Sequence, residues 1–239
     1  MPYPRHIEKL VIHLFRAIEG QAGPKIYAIL DAARDEVIYK NISGSVNKIL
    51  CLYHGERAVD LADVAPYLVH LKEDDPFTEW LFTKGWGKSW GIFLESSASP
   101  NQLRNHFRKF LTVYDEDGNP LYFRFYDPRV LRVYLPTCDT SELEIIFGPV
   151  NCYYIEWKDG NALIDFRYTD KLKLVQNVID LAGRIKEIPK FPRPGRADLQ
   201  AGRILPLARP MQAERAFLHH AFRADAVAQV ALVRIDRVL

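Results

Sequence analysis

The chain has 239 residues, 48% apolar and 12% aromatic, which is enough for one large core or for a main domain with a smaller lobe. A formal net charge of +2 gives no global pull toward nucleic acid, acidic substrates or an anionic membrane. Cys51, Cys138 and Cys152 are odd in number, far apart and outside any C-x-x-C, which argues against a disulfide framework and for a reducing cytoplasm.

The N-terminus, Met-Pro-Tyr-Pro-Arg-His, leads into a charged amphipathic helix and not into a signal peptide. Leu10, Val11, Leu14, Phe15 and Ile18 form its apolar stripe, which Gly20 and Gly23-Pro24 end. No run approaches the length of a membrane span. Lys25 to Asp31 is short and mostly apolar, as a buried strand is. A helix over Asp35 to Ile42, a strand over Ile49 to Tyr53, a helix over Glu56 to Val64 and a strand over Tyr67 to Leu71 follow.

Asp75-Pro76 is a cap followed by proline at the first helical position, and it predicts a helix to Gly85, with a strand over Trp90 to Glu95. Ser99-Pro100-Asn101-Gln102 predicts a capping box and a helix through Leu111. Asp115-Glu-Asp-Gly-Asn119 is a turn joining Leu111–Tyr114 to a strand over Leu121–Tyr126 in a hairpin. That strand runs directly into a helix capped by Asp127 with Pro128 behind it. Leu121, Phe123 and Phe125 alternate with Tyr122, Arg124 and Tyr126. Asp139 and Glu142 cap another short helix ending at Phe147. Asn151–Lys158 and Ala162–Tyr168 form a hairpin around Asp159-Gly160-Asn161, and a helix is expected over Leu172 to Ile185.

The fold class predicted is α/β, with a mixed sheet flanked by helices, then a Pro/Arg-rich arm and a small helical C-terminal lobe. The boundary falls between residues 1–173 and 174–239. From Ile188 to Pro210 five prolines, two glycines and several arginines rule out long regular structure. Phe217, Ala221, Ala224, Val227 and Ala231 recur at helical spacing, and Leu232 to Leu239 either extends that helix or forms a strand.

Most chemical signatures fail on spacing. In Gly85-Trp-Gly-Lys-Ser-Trp-Gly91 a phosphate-binding loop would need glycine where Phe82 stands, and a strand follows where a helix should. This loop is better read as a tight turn that lets two tryptophans reach the core. Asp115-Glu-Asp-Gly lacks the remaining ligands of a calcium loop. The seven histidines show no zinc-type pair, and no Gly-x-Ser-x-Gly is present, so neither metal nor cofactor is expected. An enzymatic alternative is a metal-dependent nuclease using Asp127, Glu156 and Lys158. A second is a nucleic-acid-binding module using the basic arm, although that arm lacks interleaved aromatics. Arg124, Asp127 and Arg129, set among large aromatics, are read either as an ion-pair network fixing a strand-to-helix corner or as a site. Without a catalytic set a binding protein is favoured, with Arg193, Arg196, Arg203, Phe217 and Phe222 as candidate partner-binding residues.

Tyr27-Ala-Ile-Leu-Asp-Ala-Ala33, Ala65-Pro-Tyr-Leu-Val69, Gly85-Trp-Gly-Lys-Ser-Trp-Gly-Ile-Phe93, Phe123-Arg-Phe-Tyr-Asp-Pro-Arg-Val-Leu131 and Phe147-Gly-Pro149 occur in that order. Together they closely resemble the type VI secretion effector chaperones, or adaptors, of domain-of-unknown-function family 4123. The resemblance implies a non-enzymatic cytoplasmic protein that binds one secreted effector and loads it onto the VgrG spike, directly or through the effector. It implies no role for nucleic acid, membrane or cofactor. It also implies an α/β lobe followed by a helical one. The family's motif maps onto Trp86, Trp90, Arg124, Asp127, Pro128 and Arg129, which are expected to be scaffold more than contact surface.

Overall fold

The computed structural model describes residues 3–15, 24–45, 47–114, 120–157, 160–169 and 173–183, together with short strands at 205–206 and 232–234. Helix α1 (Arg5–Leu14) precedes strand β1 (Lys25–Asp31), followed by α2 (Glu36–Ser43), β2 (Ile49–Cys51), α3 (Glu56–Asp60) and β3 (Pro66–His70). Then come α4 (Pro76–Gly85), β4 (Gly91–Ser96), α5 (Pro100–Arg108), β5 (Thr112–Tyr114), β6 (Pro120–Phe123), α6 (Pro128–Tyr134) and α7 (Thr140–Phe147). Strands β7 (Cys152–Glu156), β8 (Ala162–Thr169), β9 (Lys173–Asp180), β10 (Leu205–Pro206) and β11 (Leu232–Arg234) complete the order.

The mixed α/β class follows from an apolar strand covered on both faces. In β1 every residue from Ile26 to Asp31 is buried. It lies inside a seven-stranded sheet of order β2-β3-β1-β4-β7-β8-β9, with every pairing antiparallel. Burying each large side chain of this kind contributes about 1.5–3 kcal/mol. Ile7, Leu10, Val11 and Leu14 of α1 supply one covering stripe. A smaller sheet, of order β10-β5-β6-β11, carries the β5–β6 hairpin.

The caps act as read. Asp75 accepts the Phe77 amide at 2.9 Å, and Ser99 with Gln102 and Asp139 with Glu142 form reciprocal capping boxes. Two expectations are corrected. The 172–185 helix is absent: β9 occupies Lys173–Asp180 in register with β8 from Thr169↔Lys173 to Ala162↔Asp180. Its exposure alternates from Lys173 to Val178, and Val175, Val178 and Ile179 suit an edge that β8 leaves open. Pairing with that edge outweighs the local helical spacing. Strand β6 also ends at Phe123, not Tyr126, because the chain turns there and the Asp127 amide donates to the Arg124 carbonyl at 3.0 Å. Both faces of Leu121–Tyr126 are buried, so alternation there does not separate inside from outside. Of the alternatives for the C-terminal stretch, Leu232–Arg234 is a strand paired with β6. The helix expected over Phe217–Ala231 lies outside the described residues.

Candidate functional site

The turn between β6 and α6 rests on an aromatic floor. Phe125 is fully buried and stacks on Phe107 of α5 with ring centroids 5.5 Å apart, while Phe123 meets the Tyr134 ring edge-on at 4.8 Å. This packing aims Arg124 back at the end of β1. There its guanidinium donates to the Asp31 carboxylate in a buried ion pair. Asp31 also accepts from the Ala33 amide at 3.2 Å, capping the 3₁₀ turn Ala32–Arg34, and its own amide donates to the Trp90 carbonyl at 2.8 Å.

Asp127, 2% exposed, has two tasks. It caps α6 by accepting the Arg129 amide at 2.9 Å, and it takes the Arg129 guanidinium through Nε at 3.0 Å and Nη2 at 2.7 Å. Burial alone would raise its carboxyl pKa, but the hydrogen bonds and charge of Arg129, with the charge of Arg124, hold it below the ordinary carboxylate value. The Arg124 guanidinium is held firmly charged: burial opposes its charge, but Asp31, Tyr126 and Asp127 outweigh burial. Arg124, Asp127 and Arg129, expected to act together, are one network. Asp31 belongs to it through Arg124 and was missed. The available signal was a carboxylate ending an otherwise apolar strand, where only a partner makes burial tolerable.

Trp86 and Trp90 lie in a second unit next to the first. The 85–91 loop takes φ of +86° at Gly87 and +55° at Ser89, which turns successive amides to one side. Those amides do not cradle a phosphate. They bind Glu156 of β7, with Gly87 N–H donating at 2.7 Å and Ser89 N–H at 2.6 Å, and Ser89 Oγ lies 3.2 Å away. Burial pushes the Glu156 carboxyl up and these donors pull it back. Trp86 donates its indole N–H to the Gly160 carbonyl at 2.8 Å, and the buried Trp90 packs on Trp80 at 5.4 Å.

The pair proposed for nuclease chemistry is therefore divided between two structural duties. Asp127 is held by Arg129 and Glu156 by the loop, so neither carboxylate presents a free face of oxygens. Lys158 lies outside the described residues, as do Arg193, Arg196, Arg203, Phe217 and Phe222. Among the described residues no group of three His, Cys, Asp or Glu is placed to hold a metal ion.

These features define a mixed α/β domain whose motif charges are paired internally. Residues 26–144 match the model of the family described as domain of unknown function DUF4123. The chain belongs to that family, which is known as the type VI secretion effector chaperone or adaptor family. No curated protein matches the chain, and no solved structure does. Among the described residues no helix is long and apolar enough to cross a membrane.

Proposed function

We propose that this chain is a non-enzymatic adaptor that binds one type VI secretion effector in the cytoplasm and brings it to the VgrG spike, directly or through the effector. Membership of the adaptor family carries the reading. The internal pairing of Arg124–Asp31, Arg129–Asp127 and Glu156 with its loop supports it, because these groups serve the scaffold. We draw the adaptor lobe, expected over residues 1–173, through the end of β9 at Asp180, because β9 pairs with β8 in the large sheet, and assign the residues beyond it to the arm and partner-wrapping lobe, with Arg193, Arg196, Arg203, Phe217 and Phe222 as contacts. No cofactor, nucleic acid or membrane takes part.

The test is affinity capture of the tagged full chain from its source bacterium while the secretion system is expressed, with bound proteins identified by mass spectrometry. A toxin-like protein recovered together with a spike component is the expected result. Replacing Arg193, Arg196 and Arg203 by Gln should then weaken recovery. Recovery of neither protein overturns the reading.

A further inference from the structure

The two ends of the seven-stranded sheet are built differently. At one end β2 is three residues long, and Arg108 of α5 lays its guanidinium over the chain there. Its Nε lies 2.8 Å from the Leu52 carbonyl, and its Nη2 lies 2.6 Å from that of Tyr53 and 3.3 Å from that of Cys51. A short strand with occupied carbonyls is a protected edge. At the other end β9 runs for eight residues, all paired with β8 without a bulge. It contains no proline, and its charges, Lys173 and Asp180, stand at its two ends. Nothing within it blunts the edge. Among the described residues no strand pairs with its far side.

Hydrogen bonds beside β8 fix which groups that edge presents. The Leu181 amide donates to the Asn161 carbonyl at 3.0 Å, in register with the β8–β9 pairing, so odd-numbered residues of β9 turn their backbone groups to β8. The Trp157 amide, 2.8 Å from the Ala162 carbonyl, agrees, because it shows even-numbered residues of β8 turned the other way, to β7. Leu174, Gln176 and Val178 therefore direct N–H and C=O outward, and these meet no partner among the described residues. Their side chains share a face with Tyr168, Phe166 and Ile164, where Leu174 and Val178 are only half-buried against the core.

We infer that β9 pairs with β9 of a second copy of this chain, antiparallel about a two-fold axis at Gln176. Opposed residues in such a pair both turn toward each other or both away, so outward residues must meet outward ones. With the axis at Gln176, Leu174 meets the partner's Val178 and Gln176 meets the partner's Gln176. Every outward N–H and C=O of the three is then satisfied. On the other face the exposed Val175 meets the partner's Asn177, and Lys173 meets the partner's Ile179. No like charges oppose, and two apolar Leu174–Val178 pairs extend the core face across the axis. An axis one residue on, at Asn177, would set Leu174 against the partner's Asp180. This self-match singles out a second copy as the occupant, and a two-fold pair uses up both open edges. The inference stands apart from the adaptor reading.

Sedimentation velocity of the full chain over a concentration series tests it. Wild type should pass from monomer to dimer as concentration rises. Gln176→Pro removes only an outward N–H, so its circular dichroism should match wild type while association weakens roughly hundredfold. Gln176→Lys and Gln176→Glu each set like charges opposite one another and should weaken it about fivefold. An equimolar mixture of those two should associate at least as well as wild type, a readout that stands if Gln176→Pro misfolds. Association that no Gln176 variant changes places the dimer elsewhere and overturns the inference. A wild-type chain that stays monomeric throughout the series overturns it too. If that monomer captures an effector and Gln176→Pro does not, the edge takes a strand of the effector instead of a second copy.

Discussion

The carboxylate of Glu156 lies 2.6 Å from the backbone nitrogen of Ser89, so a strand of the large sheet carries the anion that a glycine-rich loop is shaped to hold. The loop resembles a phosphate cradle in its amides but closes on the protein's own acid. Its neighbours fit the same purpose. A Cβ at Gly160 would come within 2.8 Å of the Trp86 ring, so the β7–β8 turn and the loop seat each other.

Removing the anion should therefore loosen the loop. Glu156→Ala leaves two part-buried amides without their acceptor and should lower unfolding stability by about 1–3 kcal/mol. Glu156→Gln keeps one good acceptor and should lose about half as much. Urea unfolding measures the difference, and near-ultraviolet circular dichroism should show altered tryptophan packing. A Glu156→Ala variant of wild-type stability would sink this account.

Asp127→Ala should remove the α6 cap and leave Arg129 half-buried without its acid, lowering stability by roughly 1–4 kcal/mol. Asp127→Asn retains an acceptor for the Arg129 amide and should recover part of the loss. Because the folded carboxyl is held below its ordinary value, its contribution is present above the unfolded pKa and is lost as pH falls through the folded one. The gap between wild type and Asp127→Asn should accordingly narrow in acid below the ordinary carboxylate range. An Asp127→Ala chain that keeps its melting temperature but no longer captures the effector would make Asp127 a contact and not a scaffold residue.

Gly91 opens β4 where β1 passes closest. A Cβ there would sit 2.1 Å from the Ile29 carbonyl oxygen, a backbone atom fixed in the centre of the sheet. Gly91→Ala must push the two strands apart, and the expected loss is about 2–3 kcal/mol by thermal unfolding. By contrast, a Cβ at Gly55 meets no atom within 4 Å, but φ there is +61°, so only conformational strain opposes substitution. Gly55→Ala should cost about 1 kcal/mol. Equal losses at the two sites would show that crowding at Gly91 is not what matters.

Much of this was legible because local chemistry and tertiary context agree. Asp75, Ser99, Asp127 and Asp139 each announce a helix by side-chain capping, and each helix begins there. The apolar run of β1 announces burial but not its neighbours. Its partners β3 and β4 come from far along the chain, and periodicity carries no information about which strands meet. Lys173–Asp180 misleads because its spacing suits either element, and only the open edge of β8 decides. The Arg124–Asp31 pair was invisible for the same reason: the residues lie 93 apart in sequence, and the sequence shows only that each charge needs a partner.

The last prediction concerns His106, 9% exposed at the end of α5. Its Nε2 lies 3.1 Å from the Ile146 carbonyl, which also accepts the Tyr153 hydroxyl at 2.6 Å, so the ring joins α5 to the end of α7. A Cβ at Gly148 would lie 2.5 Å from that ring, which shows how closely the chain wraps it. Burial pushes the imidazole down from 6.5 to about 4, partly opposed by the carbonyl contact. Between those values the unfolded chain binds a proton that the folded chain refuses, so stability rises with pH through this window and falls as pH drops from 6.5 toward 4. The loss attributable to His106 should reach about 2–3 kcal/mol at the acid end. His70, half-buried and depressed mainly by burial, adds a change of the same sign, so the comparison must be made within a pair of variants. His106→Gln keeps a donor for the Ile146 carbonyl and cannot titrate. Urea unfolding of both chains at pH 7 and pH 4.5 should show a shallower pH dependence for His106→Gln. Parallel dependence in the two chains would mean that His106 accepts a proton in the folded state without penalty, and its burial between α5 and α7 would then not govern acid stability.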